Sequence, residues 1–438
     1  MKKIIFSIII LCFLNFSLAQ TNSVLVFRSE FENIDDIIYD IEDNNENALP
    51  YIITSGNANN HYTINATSGE IKIMHPISDS FNNVHVDNLT VSIGAITYAI
   101  QIVDAFDYYL SNLPIGYSVL SANDEVFIDN NSSWTAFNNL WGKGDAIENQ
   151  DFRIAILIKN TFPNETIFIW DVPSQASTFN GASVWGYNNL FWGNRKNIRE
   201  NLPNFPFKFN SINALNFNFD FEQLFGSNEY KVALNLFATD VPTLANFNQN
   251  KGDFFFVFDQ INNYLPPYPF SLPDINIDGK PFAVLYNNDL NGQFYQRRRI
   301  IIKNGNVLNQ GTLNLKALFD MYSNAGYLNT NQSIPNIQIG LEITDGFGAL
   351  RFNQIDFNIT TLSLNEVSNQ STVFYPNPVT DKLFYTIKGE ELLEINVFNS
   401  IGQKVITPFF SDFIDFSSLP NGLYFVNSQN GTEKIIKK

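Results

Sequence analysis

Apolar residues come in short alternating runs along most of this chain, and Gly, Pro, Asn or Asp interrupts each run. An early example is Tyr51-Ile52-Ile53-Thr54-Ser55-Gly56-Asn57, then Tyr62-Thr63-Ile64-Asn65, then Ser68-Gly69-Glu70-Ile71-Lys72-Ile73. A period of two, broken by turn residues, predicts half-buried β-strands and excludes a helical bundle. Further along, strands are expected at Phe152–Lys159, Glu165–Trp170, Leu215–Phe221, Tyr230–Phe237 and Asp253–Asp259. More follow at Phe282–Tyr286, Arg298–Lys303, Ile337–Ile343 and Arg351–Thr360. One helix is expected at Asn314–Ala325, where Leu315, Leu318, Phe319 and Tyr322 recur at helical spacing. Among 438 residues 42 are Phe and 18 are Tyr, so large rings must fill the space between sheets. The expected fold class is all-β: an N-terminal β-sandwich at 24–104, an antiparallel double-sheet jelly roll at 105–362, and a small C-terminal β-sandwich at 371–438. A polar linker, residues 363–370, precedes the last.

Charge narrows the partners. Lys and Arg total 26 against 43 Asp and Glu, a net charge of -17. Nucleic acid, whose phosphates need a basic surface, is excluded as a partner. The first 20 residues read as a secretory signal peptide: Lys2 and Lys3, an apolar run from Ile4 to Leu18, and Ser17-Leu18-Ala19 before Gln20. No transmembrane segment is expected after its cleavage. The single cysteine, Cys12, lies inside that signal, so the exported chain has neither disulfides nor a thiol nucleophile. His61, His75 and His85 are the three histidines. Scattered as they are in sequence, they argue against a His-based metal site and a Ser-His-Asp triad.

The first segment resembles a cadherin-like repeat, through Tyr51 to Asn57 and then Tyr62 to Ile71. That family binds calcium at acidic clusters, so the resemblance implies a calcium site with Glu32, Asp40 and Asp43 among its ligands. At the end of the segment the usual acidic linker is replaced by Asp104-Ala105-Phe106-Asp107. No other cofactor is expected. The last segment carries Tyr375-Pro376-Asn377-Pro378, Asn399-Ser400-Ile401-Gly402-Gln403, Leu419-Pro420-Asn421-Gly422-Leu423-Tyr424 and a basic end. It is similar over its whole length to the C-terminal sorting domain of type IX secretion. That resemblance implies export by the type IX machinery to the medium or the outer cell surface.

The central segment looks like glycoside hydrolase family 12, retaining endo-β-1,4-glucanases and xyloglucanases with a concanavalin-like jelly roll. The matches come in order: Asn138-Asn139-Leu140-Trp141-Gly142, then Val184 to Gly193, then Gly340-Leu341-Glu342-Ile343. The resemblance implies that Glu342 is the acid/base. It also implies a glucan groove lined by Trp141, Asn139, Tyr187, Trp185 and Trp192. A retaining glycosidase sets two carboxyl groups about 5 to 5.5 Å apart. The family's nucleophile strand corresponds to Gly252-Asp253-Phe254-Phe255-Phe256-Val257-Phe258-Asp259. Aligned on Gly-Asp, Phe255 stands at the nucleophile position; a slip of two residues brings Asp253 there. A further acidic position of the family is Asn235. Three readings follow: a β-glucan hydrolase using Glu342 and Asp253, a polysaccharide-binding protein with the same groove, and a cell-surface adhesin acting through the cadherin-like segment.

Overall fold

The computed structural model describes residues 21–438 apart from 32, 42–48, 76–84, 174–183, 204, 227–229, 241–249, 259–269, 289–295, 304–305, 362–372, 387–394, 407–412 and 429–430. The expected signal peptide, the linker, and Glu32, Asp43 and Asp259 lie outside the described residues. The chain divides into two compact units, Met1–Thr360 and Thr361–Lys438.

Two large sheets dominate the first unit. The front sheet is built around the strands Asn250–Val257, Tyr230–Thr239, Asn336–Ile343, Tyr187–Gly193 and Trp134–Phe137, adjacent in that order. The back sheet runs Gln310–Asn314, Ile212–Gly226, Gly346–Thr361, Thr166–Val172, Arg153–Ile158, Ser118–Leu120. Every second side chain of each sheet enters the space between them. From the back come Phe217, Phe219 and Phe221, and from the front Phe254, Phe256 and Phe258. The Phe258 ring meets Phe219 at 4.7 Å and Phe221 at 5.4 Å between centroids, both edge-to-face, the arrangement that the ring quadrupoles favour. The aromatic excess of the sequence is therefore spent on the double-sheet core.

The expected strands form, several of them longer than expected. The expected helix is Leu315–Asn324, started by Asn314, whose side chain accepts from the Ala317 N–H. One expectation needs correction, because the jelly roll is not wholly antiparallel. Asn250–Val257 and Gln296–Ile302 pair in parallel. Between them the chain forms the hairpin strands Phe270–Ile277 and Lys280–Asn288, and Gln296–Ile302 then returns to lie between that hairpin and Asn250–Val257. Two reversals, from Phe270–Ile277 to Lys280–Asn288 and from there to Gln296–Ile302, return the chain to the direction of Asn250–Val257, parallel to its new neighbour.

Ahead of the jelly roll, residues 21–104 form a separate sandwich. One sheet is Thr21–Arg28, Ile96–Asp104, Val86–Ile93, Tyr51–Ser55, and the other is Ile37–Asp40, Glu70–Ile73, Tyr62–Ile64. It has its own core, including Val26, Tyr39, Tyr51, Ile71, Val91 and Ile102. No flexible linker follows it. Strand Ile96–Asp104 runs directly into a helix, Ala105–Ser111, that the sequence reading missed. This helix lays Ala105 and Phe106 on the outer face of the back sheet, against Ala155, Leu157, Ile167, Ile169 and Ala349. Phe27 of the sandwich stacks on Phe225 of the jelly roll at 4.6 Å.

Charges are buried in the same junction. Arg153 grips Asp107 with two hydrogen bonds, 2.7 and 2.5 Å, and reaches Glu30 at 3.1 Å. Arg28 pairs with Asp104, and Asp171 accepts from the Ser29 hydroxyl and from the Glu30 N–H. The Asp104 and Asp107 carboxylates, where the cadherin resemblance placed its calcium linker, are thus held by guanidinium groups. Asp40, the described member of the expected calcium set, is exposed on its strand.

The second unit is small and likewise all-β. It packs Phe374, Val379, Leu383, Val397, Ile414, Phe416, Tyr424, Val426 and Ile435 between a three-stranded and a four-stranded sheet. Among the described residues no helix is long and apolar enough to cross a membrane.

The junction predicts a pH dependence. Burial, reinforced by Asp171, Asp104 and Asp107 and opposed by Arg153, pushes the Glu30 carboxyl up to about 8; burial pushes Asp171 up to about 6. Unfolded, both would titrate near 4. The folded chain thus holds more protons between those values, and its stability falls as pH rises through about 8. Calorimetry should show a lower unfolding midpoint for the first unit at pH 9 than at pH 6, and Glu30→Gln should raise the midpoint at pH 9 and flatten the slope.

Candidate functional site

Alternation decides which front-sheet residues face outward. On Asn336–Ile343, Ile337, Ile339, Leu341 and Ile343 enter the core, which turns Gln338, Gly340 and Glu342 to the outer face. On Tyr230–Thr239, Tyr230, Val232, Leu234, Leu236 and Ala238 point inward, leaving Lys231, Ala233, Asn235 and Phe237 outward. Glu342 is flanked by Lys231 on one neighbouring strand and Tyr187 on the other. The Lys231 Nζ lies 3.6 Å from Glu342 Oε2, and both side chains are partly exposed, 34% and 20%. Lys231 was not singled out from the sequence, although it shares the parity of Asn235 on an alternating strand.

Tyr187 braces this row. It is buried, and its hydroxyl donates to the Ala233 carbonyl at 2.7 Å. Burial, with a smaller contribution from Glu342, pushes its phenol well above the usual range. Its neighbours Val184 to Gly186 carry the turn that holds Trp141. The Asn139 carbonyl accepts from the Tyr187 N–H at 2.9 Å. A Cβ on Gly142 would lie 2.0 Å from the Val184 carbonyl oxygen, and one on Gly186 would lie 2.3 Å from the Asn139 oxygen. Only two glycines allow the backbones to come that close. The result fixes Trp141, 55% exposed, at the end of the sheet where Glu342 lies.

The other expected groove residues separate. Trp185 is fully buried, stacks on Phe152 at 4.8 Å and donates its Nε1–H to the Pro173 carbonyl at 3.2 Å. Trp192 pairs with Trp134 and Ile337, both core residues, and stacks on Phe357 at 5.1 Å. Neither can be a sugar platform, because each lies on the inner parity of the strand or behind it. A Trp in a motif does not reveal its own side; the pairing partner does.

Asp253 is outward-facing, but far from Glu342. It is registered opposite Phe237, whereas Glu342 is registered opposite Lys231, six positions along the same strand. At about 3.3 Å per residue that is about 20 Å, well beyond the roughly 5 Å of a retaining pair. Asp253 is instead clasped by Arg299, with bonds of 2.7 and 2.9 Å. Phe255 lies in the row of Asn235 and Gln338. Asn235 is buried and donates to the Phe254 carbonyl at 3.1 Å. Beyond Tyr187 the outer face is closed over: the Arg195 guanidinium lies 4.4 Å from the Phe137 ring centroid and 3.4 Å from Gln338 Oε1. Burial brings the Arg195 guanidinium down to about 10. Trp141, Glu342 and Lys231 stay accessible at this end.

Comparison with known proteins gives two findings. A profile of the secretion system C-terminal sorting domain matches residues 373–438. The protein is therefore secreted or displayed at the outer cell surface. Among solved structures, a family 12 xyloglucanase from Bacillus licheniformis aligns with 16% identity over 56% of this chain and 100% of its own, TM-score 0.46. An endoglucanase from Rhodothermus marinus aligns with 14% identity over 56% of this chain and 100% of its own, TM-score 0.46. Trichoderma harzianum endoglucanase 3 of the same family gives 19% identity over 57% and 100%, TM-score 0.43. No curated protein sequence matches the chain.

Two substitutions test these assignments. Trp185→Ala should destabilise the first unit by about 3–5 kcal/mol in denaturant melts, as a core truncation does. Asp253→Ala removes both carboxylate bonds of the Arg299 guanidinium and should cost on the order of 3 kcal/mol. A surface platform and an exposed catalytic acid would each leave stability nearly unchanged.

Proposed function

We propose that this is a secreted carbohydrate-active protein that holds a β-glucan chain where Trp141, Glu342 and Lys231 meet. One observation carries the reading. A large exposed indole stands in a turn that close glycine contacts tie to the strand Tyr187–Gly193, at the end where Tyr187 is registered opposite Glu342 and the Glu342 carboxylate meets the Lys231 ammonium on the outer face. A flat ring covers the C–H face of a pyranose, while a carboxylate accepts from ring hydroxyls and an ammonium donates to them. Both charged groups sit on strands whose opposite face is locked in the aromatic core, so the geometry is set before ligand arrives. Export places the protein among extracellular polysaccharides.

Binding is favoured over cleavage by the position of Asp253. On the hydrolytic reading, supported by the order of the family 12-like motifs, Glu342 acts as acid/base. It then needs a second carboxyl group within roughly 5 Å, or up to about 9.5 Å for an inverting mechanism, and Asp253 cannot supply it. Binding asks only for the surface just described.

Two assays separate the readings. In affinity gels containing xyloglucan or mixed-linkage β-glucan the protein should be retarded. Trp141→Ala should weaken that retardation about tenfold or more, as expected for a central aromatic anchor, while Glu342→Gln should change it less than about threefold. Reducing-end release from the same glucans, abolished by Glu342→Gln, would establish the hydrolase instead. Absence of both retardation and release, from a normally folded chain, would exclude a glucan ligand of this class.

A further inference from the structure

All three histidines of the chain lie in the N-terminal sandwich, and the fold brings two of them together. His61 immediately precedes the strand Tyr62–Ile64, and His85 immediately precedes Val86–Ile93. These strands belong to opposite sheets of the sandwich. Ligand-type atoms of His61, His85 and Asp87 all lie within 4.8 Å of one another, and each residue is half-buried. This corrects the expectation drawn from their scatter in sequence: 24 residues of chain separate His61 from His85, yet sheet-on-sheet packing brings them face to face, rings 6.5 Å apart.

From this cluster we propose a binding site for one divalent cation of the zinc class, held by the His61 and His85 imidazoles and the Asp87 carboxylate. Two neutral nitrogens and one carboxylate oxygen suit a borderline cation better than calcium, which wants six or more oxygens. The ligands are held from behind. Tyr62, itself buried, donates its hydroxyl to Asp87 Oδ2 at 2.5 Å, and His85 Nε2 lies 3.0 Å from that same oxygen. Such an outer bond fixes the orientation of a ligating carboxylate. On the other side, the Asn57 side chain clamps the Tyr62 backbone, accepting from its N–H at 3.1 Å and donating to its carbonyl at 2.6 Å. The His61 carbonyl accepts from the Met74 N–H at 2.7 Å. Tetrahedral ligands around zinc sit about 3.4 Å apart, so small rotations of the two half-buried rings close the site.

The position gives the cation its effect. Joining His61 to His85 and Asp87 ties one sheet of the sandwich to the other in a chain whose only cysteine is Cys12. The tie lies next to the junction with the jelly roll, because the His85 carbonyl accepts from the N–H of Asp104, the partner of Arg28. Metal binding at this point is a sheet-to-sheet clip that stiffens the seat of the jelly roll.

The test is equilibrium dialysis of the full-length exported chain against Zn2+ alone, with metal counted by mass spectrometry and stability followed by thermal melting. One Zn2+ per chain should bind, and at a hundredfold excess over Kd the first unit should melt at least about 3 °C higher. His61→Ala, His85→Ala and Asp87→Asn should each weaken binding about tenfold or more. Asp87→Asn keeps an acceptor for Tyr62 and so guards against a mere folding defect, and His75→Ala should bind like the wild type. Bound Co2+ should show the intense visible absorption of a four-coordinate site. The proposal is overturned if no Zn2+ binds up to about 100 µM, a weak limit for a three-ligand protein site. It is equally overturned if binding persists unchanged in both His61→Ala and His85→Ala.

Discussion

A two-residue period, locked by phenylalanine, governs this molecule. Phe254, Phe256 and Phe258 on the front sheet share one core with Phe217, Phe219 and Phe221 from the back, and the Phe258 ring meets all three of these. A slip of one position would throw all three front rings outward, at a cost of several kcal/mol in lost burial. Register is therefore not negotiable, and with it the outward parity of every polar residue on those strands. Glu342, Lys231, Asn235, Gln338, Asp253 and Arg299 face away from the core because their neighbours cannot. Chemistry at this face is a by-product of packing at the other.

The second constraint is the junction. Four carboxyl groups (Glu30, Asp104, Asp107 and Asp171) meet two arginines, Arg28 and Arg153, where the sandwich and the jelly roll touch. Burying charge is expensive unless it is paired, and a broken pair costs more than an absent one. Such a junction is specific, since neither half presents a satisfied surface without the other. It also lies on the outer face of the back sheet, through Ala155, Leu157, Ile167 and Ile169, and so not on the front sheet that carries Glu342 and Lys231. The N-terminal module is a mount for the jelly roll, on the side away from the surface proposed to hold glucan.

How much of this could be read from sequence depends on how local the signal is. Alternation revealed the strands, and helical spacing revealed Leu315–Asn324, because both are written within a few residues. The sorting domain was legible from its turn motifs for the same reason. The helix Ala105–Ser111 could have been found, since Phe106, Tyr109, Leu110 and Leu113 stand at helical spacing and all pack in one cluster. Pairwise geometry was not legible. Asp253 and Glu342 each lie on an outward face, but the separation between them is set by how three strands align, and no single strand records it. Trp185 and Trp192 read as platforms for the same reason; only their partners, Phe152 and Phe357, show that they are core. The convergence of His61 and His85 is likewise a property of two sheets, invisible in either strand.

The central claim is that the sugar-contacting surface is the small constellation of Trp141, Glu342 and Lys231. A crystal structure of the chain soaked with a cello-oligosaccharide tests it most directly. A pyranose ring lying flat on the Trp141 indole, with a hydroxyl within hydrogen-bond distance of the Glu342 carboxylate, is the predicted result. Ordered sugar lodged elsewhere on the molecule, with Trp141 and Glu342 untouched, would contradict the account.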